Sequence, residues 1–178
     1  MSPALSLARS ARPWAAALLG AAALLTAMQA RAALHVEEST ELAAPPEKVW
    51  ALVGQFGSLA WHPVVAETRT DGADPNRPGC QRTITTRDGA RLVEALQDYR
   101  ADERLLSYRI VESPLPVSGY RSTLRVLPAP GGSRVVWSSD FERDPAAAGV
   151  SDEQAREIVA GIYRSGFEGL RGALGAPR

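Results

Sequence analysis

The sequence predicts an α+β domain in which one antiparallel sheet of seven strands is closed by one long C-terminal helix. Three observations carry that expectation. Six strand-like runs follow one another between residues 64 and 143, joined by short connections that include Asp88-Gly89 and Pro130-Gly131-Gly132. Runs this closely spaced pair as an antiparallel meander, because parallel neighbours need a long crossover between them. From Ser151 onward apolar residues recur at spacings of three and four as far as Leu174, which is the period of an amphipathic helix. The chain after residue 32 is 146 residues long, the size of one domain with one core.

Residues 1–32 stand apart from this domain. They hold Arg9 and Arg12 with no acidic residue, then an apolar run from Trp14 to Met28, then the small-x-small signal Ala30-Arg31-Ala32. That is the three-part plan of a secretory signal peptide, with a core short for a membrane span. The expectation is therefore cleavage after Ala32, a mature domain of residues 33–178, and a periplasmic location with no membrane attachment after cleavage. An uncleaved anchor is the alternative.

Composition removes several function classes. The chain balances 20 basic against 20 acidic residues, and with Arg9, Arg12 and Arg31 in the leader the domain carries 17 against 20. A net charge of −3 offers no footprint for nucleic acid or an anionic membrane. Two histidines and one cysteine are a poor basis for a zinc site, and no cofactor is expected. Cys80 cannot form an internal disulfide and is expected to be buried.

Each element has its own warrant. Residues 34–43 alternate, placing Leu34, Val36, Glu38, Thr40 and Leu42 on one face of a half-buried strand. Pro45-Pro46 then opens a helix, since proline is tolerated in a first turn where its missing N–H would have had no partner. Val49, Trp50, Leu52, Val53 and Phe56 form its apolar side. A second short helical turn is expected around 58–61, ended by Pro63, which pushes His62 out of the helical region. Strands are expected at 64–70, 79–87, 90–99, 104–112, 117–128 and 133–143. Ser151 and Gln154 make a capping box for the last helix, whose apolar face runs through Ala155, Ile158, Val159, Ile162, Gly166, Leu170 and Leu174. Gly161, Gly166, Gly169 and Gly172 each weaken that helix by up to about 1 kcal/mol relative to alanine. It must therefore be held by packing on the sheet.

The stretches "ELAAPPEKVWALVGQFGSLAWHPVV" (41–65), "DERLLSYRIVESPLPVSGYRSTLRVLP" (102–128) and "GGSRVVWSSDFE" (131–142), with Glu94 between the first two, resemble the START-like (SRPBCC) superfamily of polyketide cyclase/dehydrase-like helix-grip proteins. With the leader, "SYRI…PLPVSGYRSTLRV" is most similar to the periplasmic MxaD-like branch, named for a methanol-oxidation accessory protein. The resemblance implies a curved seven-strand sheet wrapped around the C-terminal helix, two small helices after the first strand, and a cavity between sheet and helix. It supplies no shared catalytic set.

Period-two arithmetic then names the walls. Leu92, Glu94, Leu96 and Asp98 share a face, as do Leu106, Tyr108 and Ile110, then Tyr120, Ser122, Leu124 and Val126, then Val135, Trp137, Ser139 and Phe141. The expected ligand contacts are Trp61, His62, Glu94, Tyr108, Tyr120, Trp137 and Phe141. Glu94, a carboxylate on an inward face, needs a partner such as Arg121 or Arg109, or acts as an acid or base. Trp61 and His62 are expected at the cavity rim, with His62 the alternative general base. Pro114 and Pro116 mark an exposed loop or sheet edge. The expectation is an exported binding protein for a small hydrophobic, aromatic or lipid-like ligand. A cyclase or dehydratase using His62, Glu94 or a tyrosine is one alternative; an accessory protein of a periplasmic redox enzyme such as methanol dehydrogenase is the other.

Overall fold

A computed structural model describes residues 33–175. The leader expected at 1–32 lies outside the described residues. Strand β1 (Leu34–Leu42) is followed by helix α1 (Pro46–Val53), six strands and a final helix. The strands are β2 (Val65–Thr70), β3 (Gln81–Thr86), β4 (Arg91–Arg100), β5 (Leu105–Glu112), β6 (Val117–Ala129) and β7 (Gly132–Arg143), and the helix is α2 (Asp152–Leu174). All seven strands form one antiparallel sheet in the order β1-β7-β6-β5-β4-β3-β2. The meander runs from β2 to β7, and β1 closes against the last strand. This is the helix-grip architecture.

The second small helix expected after α1 is a turn. His62 N–H donates to the Leu59 carbonyl at 2.8 Å and Val65 N–H to the His62 carbonyl at 3.1 Å. Pro63 lacks an N–H and excludes a helical conformation from His62, so the chain turns once and enters β2.

Two β-bulges re-aim the middle of the sheet. The register of β4 against β5 shifts between Leu96 and Asp98, which inserts Gln97 and exchanges the faces beyond it. Asp98, expected inward, therefore bonds Arg100 at 2.7 Å at the surface. Tyr99 takes the inward place and packs against Trp50 of α1, with ring centroids 5.6 Å apart and planes tilted by 30°. The other shift, between Val93 and Glu94, leaves Val111 of β5 unpaired and exposed.

Helix α2 begins with the expected capping box: Ser151 Oγ accepts from Gln154 N–H while Gln154 Oε1 accepts from Ser151 N–H. Its buried stripe is Ala155, Val159, Ala160, Tyr163, Gly166, Phe167 and Leu170, rotated from the expected one. Ile158 is 38% exposed, because Tyr163 and Phe167 face the sheet in its place. Tyr163 stacks on Trp137 with centroids 4.4 Å apart and planes 14° from parallel. The helix lies along β1 and β7, which leaves the inner face of β3, β4 and β5 away from it.

Cys80 is half-buried rather than buried. It precedes β3 at the foot of a loop, where its thiol donates to Asp71 Oδ1 at 3.4 Å. Burial, more than the neighbouring carboxylate, raises its pKa.

Candidate functional site

The inner face that α2 leaves uncovered is the wall of a cavity of about 500 Å³. Ile84, Leu92 and Ile110 supply aliphatic surface from three adjacent strands, and Ile162 and Tyr163 close it from α2. Its mouth lies between the turn at Leu59–Val65, the β3–β4 hairpin and Pro114-Leu115. Leu115 is part of the wall, so the two-proline segment is a rim loop. It joins β5 to β6, neighbours inside the sheet, and is not a sheet edge.

Five of the seven expected residues line this cavity: His62, Glu94, Tyr108, Tyr120 and Trp137. Trp61 and Phe141 do not. Trp61 is 7% exposed and packs behind the wall, 5.9 Å from the Trp137 ring. The helix holds it there, since the Trp61 carbonyl lies so close to α2 that a Cβ at Gly169 would come within 2.0 Å of it. Phe141, far along β7, packs on Tyr120 with centroids 5.8 Å apart.

Glu94 has a different partner from either arginine expected. Arg82 stands directly opposite it in the β3–β4 ladder, and Arg82 Nε and Nη2 both reach Glu94 Oε2 at 2.7 Å. Arg109 and Arg121 share no such contact because their alternation turns them to the outer face. All three guanidinium nitrogens of Arg82 are in use: Nη1 donates to the Phe56 carbonyl at 3.0 Å, and the guanidinium lies 4.2 Å from the Phe56 ring centroid and 5.0 Å from that of Tyr108. Both members of the pair are buried, so the attraction is little screened and the loss of either leaves an uncompensated charge. Arg82 was findable from sequence: it shares the inward face of β3 with Ile84, two residues on.

Beside the ion pair is a closed network of aromatic and hydroxyl groups. Trp137 Nε1–H lies 3.0 Å from both the Tyr108 hydroxyl and Ser122 Oγ. Ser122 gives its proton to the Ser138 carbonyl at 2.8 Å, so Tyr163, 3.2 Å away, donates to Ser122, and Tyr120 donates to Tyr163. Burial, the first cause in each case, pushes the Tyr163 pKa up to about 12 and those of Tyr108 and Tyr120 well above the ordinary value. All three remain protonated donors. Tyr108 accepts from Trp137 and has Ser122 as its other hydrogen-bonding neighbour.

His62 is a wall residue pinned to the helix. Its Nε2–H donates to the Ile162 carbonyl at 3.1 Å, which leaves Nδ1 unprotonated. Burial lowers its pKa, the Ile162 carbonyl opposes that, and the nearby Arg82 charge adds to it. Nδ1 is enclosed without a partner among the described residues, so the ring would have to move before it could take a proton from a bound molecule. Gly166 permits the approach, for a Cβ there would meet Trp137 at 2.8 Å and His62 at 3.1 Å.

Comparison with known proteins agrees with this geometry. The profile described as polyketide cyclase / dehydrase and lipid transport matches residues 33–175. The chain belongs to that family. It is 30% identical over 119 residues to MLP-like protein 423 of Arabidopsis thaliana, covering 62% of this chain and 76% of the relative. The structure of XoxI from Bacillus cereus superposes with a TM-score of 0.70 at 32% identity, covering 79% of this chain and 94% of that one. The crystal structure of Ara h 8.0201 shares the fold, with a TM-score of 0.63 at 15% identity over 80% of this chain and 97% of its own.

For a member of this family the cavity offers apolar area for affinity and a few polar groups for orientation. Among the described residues no group of three or more His, Cys, Asp and Glu is placed to hold a metal ion. What the wall can do is desolvate an apolar molecule and meet its polar end with a carboxylate oxygen of Glu94.

Proposed function

We propose that the domain is an exported binding protein that encloses one small, largely apolar molecule, and that residues 1–32 direct it to the periplasm and are then removed. The observation that carries the reading is the cavity of about 500 Å³, with aliphatic residues on three strands and a small set of hydrogen-bonding groups among them. A volume of this order suits a molecule of drug or hormone size. A lipid-like or aromatic metabolite fits the family's range. The accessory role beside a redox enzyme rests on the MxaD-like sequence resemblance alone, and no feature of the cavity favours it.

Native mass spectrometry of protein recovered from the periplasm of cells expressing the full chain tests this reading. The expected result is a mass beginning at Ala33, with a stoichiometric small molecule released by organic extraction. An uncleaved chain in the membrane fraction would overturn the export proposal. A protein that stays empty and takes up no apolar probe would overturn the binding proposal, and a co-purifying dehydrogenase or cytochrome would replace it with the accessory role.

A further inference from the structure

We propose that the cavity is selective for an uncharged hydroxyl group carried on an apolar body, with Glu94 Oε1 accepting the ligand's hydrogen, and that it rejects carboxylates. The proposal rests on the reading of the cavity as a binding site and says what that site selects.

The charge balance of the wall is the first part of the argument. The charges lining the cavity balance: Arg82 and Glu94 are buried and ion-paired, while Arg87 and Asp88 lie at the exposed hairpin. Arg87 lies at the exposed mouth, where solvent screens its charge, with its Nε donating to the Pro63 carbonyl at 2.7 Å. Arg82 is committed twice over, to Glu94 Oε2 and to the Phe56 carbonyl. A ligand carboxylate would meet a guanidinium already neutralised and a second carboxylate beside it. A ligand ammonium would put a second cation next to Arg82. Burial of either charge without a counter-charge is costly, so a neutral polar group is the one the site accommodates.

Spare hydrogen-bonding capacity is the second part. Glu94 Oε1 has no hydrogen-bond partner among the described residues. It is also not sealed in: the enclosed, unpartnered side-chain atoms are Trp61 Nε1, His62 Nδ1, Thr68 Oγ1, Arg104 Nε and Ser139 Oγ. Since Glu94 is only 5% exposed and lines the cavity, the open lone pairs of Oε1 face it. A ligand hydroxyl can donate to Oε1, whereas an ether or a hydrocarbon has no hydrogen to give it.

Isothermal titration at pH 7 with 2-naphthol, 2-methoxynaphthalene and 2-naphthoate tests the proposal, using protein purified from expression of the full chain. These probes share one apolar body and differ in the polar group. 2-Naphthol is expected to bind about tenfold or more tightly than either of the others, the value of one charge-assisted hydrogen bond. In Glu94→Gln, 2-naphthol should weaken and 2-naphthoate should strengthen, because the Arg82 charge is then uncompensated. Equal binding of the three by the wild-type protein, or tighter binding of 2-naphthoate, would overturn the selectivity and leave the binding cavity standing. Binding of none would overturn both. The wild-type series decides the question even where Glu94→Gln does not fold.

Discussion

Two polar clusters back the same cavity, and they are built on opposite plans. The Trp137–Ser122–Tyr163–Tyr120 cluster passes each hydrogen to the next oxygen and ends on the Ser138 carbonyl. The Arg82–Glu94 corner concentrates full charges and leaves one carboxylate oxygen unused. A satisfied neutral network is a stiff piece of wall, since every member is held by another. A charged pair with an unused acceptor has something left for a guest. The difference separates residues that shape the cavity from those that read its contents, although all of them are buried and inward-facing.

The largest effect expected is at the charged corner. Arg82→Met leaves Glu94 buried without a counter-charge and should cost about 3–5 kcal/mol, whereas Arg82→Met with Glu94→Leu should recover most of that loss. Urea denaturation of the two variants measures it; a single variant as stable as the double would show that the corner is no more charged in its energetics than the tyrosine cluster. Next comes the seam between the Trp61-His62-Pro63 turn and α2. Gly169→Ala sets a Cβ within 2.0 Å of the Trp61 backbone oxygen and should cost about 2–3 kcal/mol despite the better helix propensity of alanine. An unchanged denaturation midpoint would mean that the turn is free to slide on the helix.

His62 adds a pH dependence that belongs to neither cluster. Its folded-state pKa lies below the ordinary 6.5 because burial disfavours the cation. The unfolded chain therefore takes up a proton first as pH falls. Its contribution to stability is fully present above about pH 6.5 and declines below it, with a slope of at most about 1.4 kcal/mol per pH unit, until the folded-state pKa is reached. Denaturation midpoints at pH 7.5 and 5.5 should differ more for the wild-type protein than for His62→Gln. Equal differences would show that the imidazole is not held neutral by the fold. The smallest effect is expected for Tyr120→Phe, which removes one link of the neutral chain. It should cost about 1 kcal/mol and leave the 2-naphthol affinity unchanged; an affinity loss matching that of Glu94→Gln would erase the distinction between wall and reader.

By itself the sequence determined the elements and nearly all of their faces. Alternation in β5, β6 and β7 put Tyr108, Tyr120, Ser122 and Trp137 on the inner surface, where they are found, because a period of two is a local property of extended backbone. The capping box and the strand order of the meander were legible for the same reason. Alternation failed beyond Leu96, where one inserted residue exchanged Asp98 and Tyr99, since nothing local distinguishes a bulged strand from a regular one. The second helix failed because Pro63 follows so soon that the segment before it makes only a turn.

Tertiary structure decided the contents of the site. That Glu94 would need a cation followed from the cost of burying a carboxylate, but that the cation is Arg82 depends on which strands are neighbours and in what register. The glycines of α2 looked like defects in a helix. Gly166 and Gly169 are the places where another segment comes too close for a side chain, and only the docked partner reveals that. Whether an inward residue meets the cavity, as His62 does, or packs behind it, as Trp61 does, depends on where α2 crosses the sheet. That crossing is set by the summed packing of residues far apart in the chain, and no window of sequence contains it.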